Sequence, residues 1–205
     1  MVPHAPSRLR NAVATRQAIL DSARRHFARE GYDNVGLREI AGDAGVDPAL
    51  VCRYFGGKEQ LLREAVRGDA PPLLEGATQA DLPARLAGIL LEDEGEAATC
   101  GTSTEQTERL LILLRSASSP KASEIVREAA GEDILRPIAS LLEGKGAETR
   151  AGLCLAVLIG VGMLRSALAF APLCGADEGE LRGALERLFE AALGMRSGRS
   201  ASPHA

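Results

Sequence analysis

Aromatic side chains are scarce in this chain. Its 205 residues include four Phe, two Tyr and no Trp. Carbohydrate platforms and grooves for single-stranded nucleic acid stack their ligands on aromatic surfaces, so this composition argues against both functions. β-Branched residues are also sparse, and no segment has the sustained period-two alternation of a half-buried strand. The sequence therefore predicts an all-α protein.

Cysteine and histidine are too few and too scattered for a metal site. Cys52, Cys100, Cys154 and Cys174 form no CxxC pair, and the three histidines lie at positions 4, 26 and 204. This spacing fits neither a zinc site nor a secreted disulfide framework. We therefore expect no metal and no other cofactor. The first residues contain no apolar signal-peptide segment, which predicts a cytoplasmic protein with reduced thiols.

Long apolar runs are almost absent. Residues 151–171 contain a single charge, at Arg165, and the uninterrupted apolar run before it has 14 residues. A helix that crosses a bilayer about 30 Å thick needs about 20 such residues. We expect a buried or subunit-facing helix here.

Charge is unevenly distributed along the chain. Residues 1–68 carry 11 Lys and Arg against 8 Asp and Glu, a net charge of +3, whereas residues 69–205 carry 13 against 20, a net charge of −7. A basic segment joined to an acidic remainder suggests that the first part meets a polyanion. Chance scatter of surface charge is the alternative.

Helix start and stop signals divide the first part into four helices. We expect them from the N-cap Thr15 to Glu30, from Leu37 to Ala44, from Pro48 to Phe55 and from Lys58 onward. Asp47 followed by Pro48 is a strong start signal, and Gly31 and Gly56 are suitable stops. The expected domains are a disordered arm over 1–11, a first domain over 12–68, a second over 69–195, and a disordered tail over 196–205.

Further helices are predicted in the second domain. Their approximate ranges are 81–91, 103–117, 119–142 with a kink at Pro137, 147–170, and a last helix after Asp177. The capping signals are Ser103 with Gln106 and Asp177 with Glu180. Apolar residues recur at spacings of three and four along the last helix, so this stripe must pack against something.

The most informative stretch is residues 37–56, LREIAGDAGVDPALVCRYFG. Two short helices joined by a glycine-containing turn form a helix-turn-helix unit. Ala41 is small where the helices would cross, and Gly45 stands where the turn needs positive φ. Apolar contacts between the two helices are expected from Ile40, Ala44, Val46, Val51 and Tyr54.

The surroundings of this unit strengthen the interpretation. TRQAI from Thr15, FAREGY from Phe27, LREIA from Leu37, AGV from Ala44, Tyr54-Phe55 and KEQLL from Lys58 follow in order. Over about residues 12–66 the chain resembles the N-terminal domain of TetR/AcrR-family (tetracycline-repressor-like) transcriptional regulators. The resemblance implies an N-terminal three-helix DNA-binding domain and a C-terminal helical domain for effector binding and dimerisation.

The resemblance also implies which residues meet DNA. The recognition helix is Pro48–Phe55, lying in the major groove, and Arg53 reads a guanine, touches a phosphate or remains solvated. Phe55 is expected in the core. Cys52 on this helix has no resolving cysteine nearby, so a redox role has little support. The implied contacts are Arg38, Asp47, Pro48, Ala49, Leu50, Arg53, Tyr54 and Lys58, of which Arg38, Tyr54 and Lys58 grip the DNA backbone.

Two positions depart from the family pattern. Gly36 and Gly57 stand where the family usually has a Ser or Thr that caps a helix and reaches a phosphate. Glycine caps a helix without supplying a hydroxyl. The alternative is that glycine is needed for positive φ at these positions.

The same resemblance implies a homodimer held by a four-helix bundle from the last two helices of each subunit. Burial of these stripes within one subunit is the alternative. The residues expected at the interface are Leu153, Val157, Gly160, Leu164, Leu181, Leu185 and Leu188.

A pocket among the middle helices is implied for a small apolar effector. Plain core packing is the competing interpretation for every residue of this set. The residues expected to line the pocket are Leu86, Ile89, Leu110, Leu114, Ile125 and Leu164.

Together these features predict a cytoplasmic, homodimeric, ligand-responsive repressor that binds an inverted-repeat operator in double-stranded DNA. No catalytic motif was found in residues 69–205, so no enzyme activity is expected. The alternatives are an activator or effector-independent DNA binder of the same fold, and a helical enzyme or scaffold that carries a DNA-binding head.

Overall fold

The computed structural model describes residues 5–67, 74–91 and 104–195. Within them the chain is helical, with no strand, as the sequence predicts. One compact unit contains α1 (Ala5–Glu30), α2 (Leu37–Asp43), α3 (Pro48–Phe55), α4 (Lys58–Arg67), α6 (Thr104–Ser116) and α7 (Pro120–Ala130).

The second compact unit contains α5 (Leu82–Leu91), α8 (Arg136–Ser140), α9 (Ala147–Gly162), α10 (Ala171–Cys174) and α11 (Glu178–Leu193). Two π-helical turns, Gly131–Leu135 and Met163–Ala167, also belong to it. The domain boundary proposed after residue 68 would place α6 and α7 in the second domain, but in the structure these helices pack on α1 and α4.

The first helix is longer than the sequence predicts. It begins at Ala5, so the predicted N-cap at Thr15 is wrong, and the Thr15 hydroxyl instead donates to the Asn11 carbonyl within the helix, at 2.7 Å. Residues 5–11, expected to be a disordered arm, are helical. A Thr side chain bonds back to the preceding turn in this way without ending a helix. Residues 1–4 and the tail over 196–205 lie outside the described residues.

The predicted helix-turn-helix packing is confirmed. Ile40, Ala41 and Val51 are fully buried in the core of the first unit, and Ala44, Val46 and Tyr54 pack against that core. Phe55 is buried as expected. Gly31 and Gly45 have φ values of +79° and +66°, which only glycine adopts without strain.

The predicted kink at Pro137 takes the form of a π-helical turn over Gly131–Leu135, directly before α8. Proline has no N–H, so it cannot donate to the carbonyl four residues earlier. The wider π-helical turn accommodates this missing hydrogen bond. At the last helix, the Asp177 carboxylate accepts the Glu180 N–H at 3.0 Å, as its capping signal predicts. The signal at Ser103 lies outside the described residues.

The core of the second unit lies where α11 packs on α5 and α9. Leu82, Leu86, Phe189 and Leu193 are almost completely buried there. Leu185 also belongs to this core, with 2% of its surface exposed. Its assignment to a subunit interface is therefore wrong, because its side chain is already covered by its own subunit.

The cysteines differ from the expectation at one position. Cys52 and Cys154 are free thiols, and burial raises the pKa of Cys154 to about 11. Cys174, in contrast, is disulfide-bonded. The prediction of reduced thiols is wrong for Cys174.

The apolar segment Ala147–Ala167 forms one helical stretch of 21 residues when α9 and the following π-turn are taken together. By length and composition alone it is sufficient to cross a membrane. This is weak evidence for a membrane span, because a core helix passes the same test, and the uninterrupted apolar run remains the 14 residues between Arg150 and Arg165. Both arginines donate to backbone carbonyls: Arg150 to Leu193 at 2.9 Å, and Arg165 to Leu90.

Candidate DNA-binding site

Capping at both ends defines α3, the predicted recognition helix. The Asp47 carboxylate accepts the Ala49 N–H at 2.7 Å, and Pro48 occupies the first turn. Gly56 ends the helix with φ +75°. Asp47 therefore has a local structural role, in addition to its predicted place near the DNA.

Two buried side chains anchor α3 to the core of its unit. The other side chains of this helix are exposed or half-buried. Val51 is 0% and Phe55 3% exposed. Pro48, Ala49, Cys52 and Arg53 are exposed, and Leu50 and Tyr54 are half-buried. The exposed surface thus combines one cation with small apolar groups, which suits contact with base edges and thymine methyl groups.

The preceding helix, α2, is held by polar contacts. The Gly36 N–H donates to the Glu39 carboxylate at 2.6 Å, at the start of the helix. At its end, Arg25 of α1 donates to Asp43 at 2.6 Å, and this hydrogen bond lowers the pKa of Asp43. Arg38 is exposed on the same helix, where the sequence predicts a backbone contact.

Lys58 opens α4, and its side chain does not extend freely into solvent. Its Nζ lies 4.3 Å from the centroid of the Tyr32 ring, and partial burial lowers its pKa. The Leu61 N–H donates to the Gly57 carbonyl at 3.0 Å, which is the first hydrogen bond of this helix turn. Tyr32 is a neighbour that the sequence analysis did not identify as functional.

Arg16 also contacts the recognition helix and was missed. Its guanidinium lies 4.8 Å from the centroid of the Phe55 ring, and it pairs with Glu64 of α4. Arg16 therefore fixes the end of α3 to α1 and α4. Arg16 belongs to the TRQAI motif, which was the sequence signal that could have identified it. The motif does not reveal that Arg16 contacts Phe55 and Glu64.

Arg24 of α1 is a buried cation that the sequence analysis did not identify. The side chain is almost fully buried and pairs with Glu105 of α6 at 3.0 Å and with Asp21 at 3.4 Å. Helical spacing places Arg24 next to Arg25, but only the packing of α6 determines which of these arginines is covered. This ion pair joins α6 to the DNA-binding unit.

A groove of about 840 Å³ lies beside α4 in the same unit. Two ion pairs span its walls: Lys121 with Glu59 at 3.1 Å, and Arg63 with Glu128 at 2.5 Å. Tyr32, Gly57 and Lys58 also line the groove. The described residues contain no cluster of three His, Cys, Asp or Glu side chains suited to a metal ion.

The predicted effector-lining residues do not come together in one described cavity. Leu110 and Ile125 are buried in the first unit, whereas Leu86 is buried in the core of the second. Leu114 is 62% exposed, so its placement in a pocket is wrong. Of the six, Ile125 lines the groove of about 840 Å³, and none lines a second cavity of about 420 Å³. Ile89 and Leu164 are half-buried in the second unit.

A capped recognition helix, a buried helix-turn-helix interface and flanking cations define a helix-turn-helix DNA-binding protein. Family models agree with this assignment. Residues 19–65 match "Bacterial regulatory proteins, tetR family", and residues 80–193 match "Tetracyclin repressor-like, C-terminal domain". The chain therefore belongs to the TetR family of transcriptional regulators.

Curated relatives match over only part of the chain. The transcriptional regulator BetI of Agrobacterium fabrum is 46% identical over 52 residues, which is 25% of each chain. The transcriptional repressor AcnR of Corynebacterium efficiens is 33% identical over 82 residues, covering 40% of this chain and 44% of AcnR. These matches span less than half the length of the relatives.

Solved structures match over most of the chain. Salmonella enterica GusR has a TM-score of 0.61 at 17% identity, covering 88% of this chain and 95% of GusR, and shows the shared fold. The multidrug binding protein EbrR, solved with ethidium, has a TM-score of 0.55 at 26% identity, covering 85% and 98%.

Proposed function

We propose that this protein is a repressor that binds an inverted-repeat operator through α3. The observation that carries the proposal is the exposed face of α3, with Arg53 beside Ala49 and Leu50, held rigid by the buried Val51 and Phe55. A recognition helix needs both a fixed orientation and side chains free to reach base edges. The repressor AcnR is among the relatives that support the direction of regulation.

Base reading and backbone contact are assigned to different residues. Arg53 reads a base edge, with a guanine as the preferred partner of its guanidinium, and Ala49 and Leu50 contact thymine methyl groups. Arg38, Tyr54 and Lys58 contact phosphates, which fixes the register of the helix without reading sequence.

A homodimer supplies the second recognition helix. Leu153 of α9 and Leu188 of α11 are 51% and 52% exposed, and Gly160 is exposed on α9. Val157, Leu164 and Leu181 are half-buried. Contact with a second copy removes these apolar surfaces from water. Two subunits also place two recognition helices on half-sites one helical turn apart.

An apolar small molecule is the proposed effector, bound in the second unit. Support for a small-molecule effector comes from EbrR, a protein of the same fold that was solved with ethidium. Ethidium is an aromatic cation, so the apolar character of the effector rests on the apolar residues named in the sequence analysis. An activator or effector-independent DNA binder of this fold is the alternative. A protein of this family that binds DNA and regulates transcription works in the bacterial cytoplasm and needs no catalytic site.

Nuclease protection tests the proposal. The purified full chain is incubated with duplex DNA from the region upstream of its own gene, and the protected sequence is read. We expect an inverted repeat. On this duplex, Arg53→Ala is expected to lose about 1–3 kcal/mol of discrimination against a site with the contacted base pair replaced.

Arg127→Ala is the matched control, because Arg127 is an exposed arginine of the same unit that belongs to α7 and not to the recognition helix. This variant should discriminate like the wild type. Equal losses for Arg53→Ala on operator and random DNA would remove its base-reading role. Absence of any protected repeat would contradict operator binding.

A further inference from the structure

Tyr32 and Lys58 join two chain segments at the N-terminus of α4. The Lys58 Nζ lies 4.3 Å from the centroid of the Tyr32 ring. Tyr32 follows α1 and packs against the core of the first unit, with its ring centroid 6.0 Å from that of Phe27. The core therefore fixes the ring that receives the ammonium group.

No carboxylate forms an ion pair with Lys58 among the described residues. Asp33 and Glu39 act on it only through longer-range attraction, and the nearby Glu59 pairs with Lys121 at 3.1 Å. The aromatic face is thus the group that holds the ammonium. A cation over a ring is attracted electrostatically and keeps N–H groups on its opposite side for an acceptor.

We propose that Tyr32 is a positioning residue for DNA binding: its ring holds the Lys58 ammonium at the N-terminus of α4, ready to meet a DNA phosphate. The inference rests on the proposed function. A free lysine side chain loses much rotamer freedom when it is fixed in a contact. A side chain that is already ordered in the free protein loses less conformational entropy on binding.

The expected change in DNA affinity follows from the strength of the cation–π contact between Lys58 and Tyr32. At an exposed site such a contact corresponds to about a two- to fivefold change in an equilibrium constant. Each subunit has one Tyr32, so the factor applies once to each half-site. Because the contact is to a phosphate, affinity for every duplex should change alike.

A double-mutant cycle on the full chain tests the proposal. Tyr32→Leu, Lys58→Met and the double variant are titrated against a labelled duplex of random sequence at several salt concentrations. Tyr32→Leu should lower affinity about two- to fivefold per half-site and leave the salt dependence unchanged, because the lysine charge remains. Lys58→Met should reduce the slope of log K against log salt by about 0.9 per lysine.

The double variant should bind like Lys58→Met alone, because the ring has no function once the ammonium is gone. Tyr32→Phe is the matched control and should bind like the wild type, since it keeps the aromatic face. Additive losses in the double variant would mean that Tyr32 acts on DNA affinity independently of Lys58. Tighter binding by Tyr32→Leu would mean that the ring withholds Lys58 from DNA. Either result overturns the proposal.

A measurement on the free protein separates this proposal from the proposed function. The Lys58 Hε protons should show an upfield ring-current shift in NMR spectra that Tyr32→Phe retains and Tyr32→Leu loses. Absence of the shift overturns the proposal whatever the DNA result. A wild-type protein that shows the shift but binds no duplex at low salt contradicts the proposed function instead.

Melting temperatures identify any variant that fails to fold. Should Tyr32→Leu unfold, pentafluorophenylalanine at position 32 replaces it in the cycle. This side chain keeps the shape of the Tyr32→Phe ring and removes the attraction of its face for a cation. It should then reproduce the loss of affinity, and wild-type binding by that protein would overturn the proposal.

Discussion

At the scale of single residues, the two adjacent glycines between α3 and α4 differ in backbone conformation. Only one of the two positions requires glycine. Gly56 has φ +75°, which L side chains rarely adopt. Gly57 lacks positive φ, and a Cβ added to it would meet no heavy atom within 4 Å. Gly36 also lacks positive φ. The alternative that both departures from the family pattern serve positive φ is therefore wrong.

Gly57→Ser is predicted to tighten DNA binding. The new hydroxyl lies at the N-terminus of α4, where it can donate to a phosphate oxygen near the positive end of the helix. Stability should change by only a few tenths of a kcal/mol, because Gly and Ser both serve as caps. Titration of operator and random duplexes should show the same gain for each, since the contact is to backbone.

Gly56→Ser is the neighbouring control for this prediction. It adds the same side chain at positive φ, so it should lower the melting temperature by straining the turn. A loss of both stability and DNA affinity in Gly57→Ser would show that the chain does not tolerate a side chain there. Gly36→Ser has less space for the new side chain, because its Cβ would lie 3.3 Å from Glu39 Oε2.

At the scale of the element, the start of α5 depends on one carboxylate. Asp81 accepts the Thr78 N–H at 2.6 Å and a hydrogen bond from Arg85 Nε at 2.8 Å. The Thr78 backbone bond, followed by the Arg85 bond, lowers the pKa of Asp81 to about 2. These bonds tie the preceding turn to the helix that carries Leu82 and Leu86 into the core.

Asp81→Asn is predicted to reduce stability in a pH-dependent way. Because the pKa of Asp81 is lower in the folded chain than its ordinary value of 3.8, the carboxylate stabilises the fold fully above that value. This contribution is lost as pH falls from 3.8 toward about 2. Thermal unfolding of both proteins should therefore differ at pH 6 and converge near pH 2.

Thr78→Val is the companion variant, because it removes the hydroxyl bond at 2.9 Å and keeps the Thr78 N–H. It should lose less stability than Asp81→Asn and retain the pH dependence. A difference between the wild type and Asp81→Asn that stays constant across this pH range would contradict the role of the carboxylate.

At the scale of the whole molecule, α9 and α11 have apolar faces that their own subunit leaves uncovered. Leu153 and Leu188 are half exposed, whereas Leu185, on the same helix as Leu188, is buried. Residues 185 and 188 are three apart, so they lie on neighbouring sides of α11. The apolar stripe seen in the sequence thus serves the core on one side and the proposed partner subunit on the other.

Leu153→Glu combined with Leu188→Glu is predicted to give a folded monomer with weak operator affinity. Two carboxylates on the exposed face oppose burial against a second copy and leave the subunit core intact. Analytical ultracentrifugation measures the oligomeric state, and circular dichroism checks the fold. Leu114→Glu is the control, because Leu114 is exposed on α6 in the DNA-binding unit. It should remain dimeric.

Leu185→Ala should behave differently from the interface variant. It is expected to lower the stability of the subunit by about 2–5 kcal/mol, as for other large-to-small core substitutions. A double Leu153/Leu188 variant that sediments as a dimer and binds its operator normally would place the interface elsewhere on the molecule.

The sequence by itself determined the helix-turn-helix unit and the family. The bounds of α3, the packing of Ile40 and Val51, and the turns at Gly31 and Gly45 follow from local rules, because caps, positive φ and helical periodicity involve residues close in the chain. Matching motifs from Thr15 to Leu62 made the family recognisable from residue order alone.

Tertiary structure decided how side chains far apart in the sequence meet. Periodicity gives the apolar face of a helix, but not which part of that face the same subunit covers, so Leu185 and Leu188 had the same prediction and different burial. The burial of Arg24 required α6, and the docking of Lys58 required the ring of Tyr32. These contacts depend on how helices pack, because long-range packing is not encoded in the spacing of neighbouring residues.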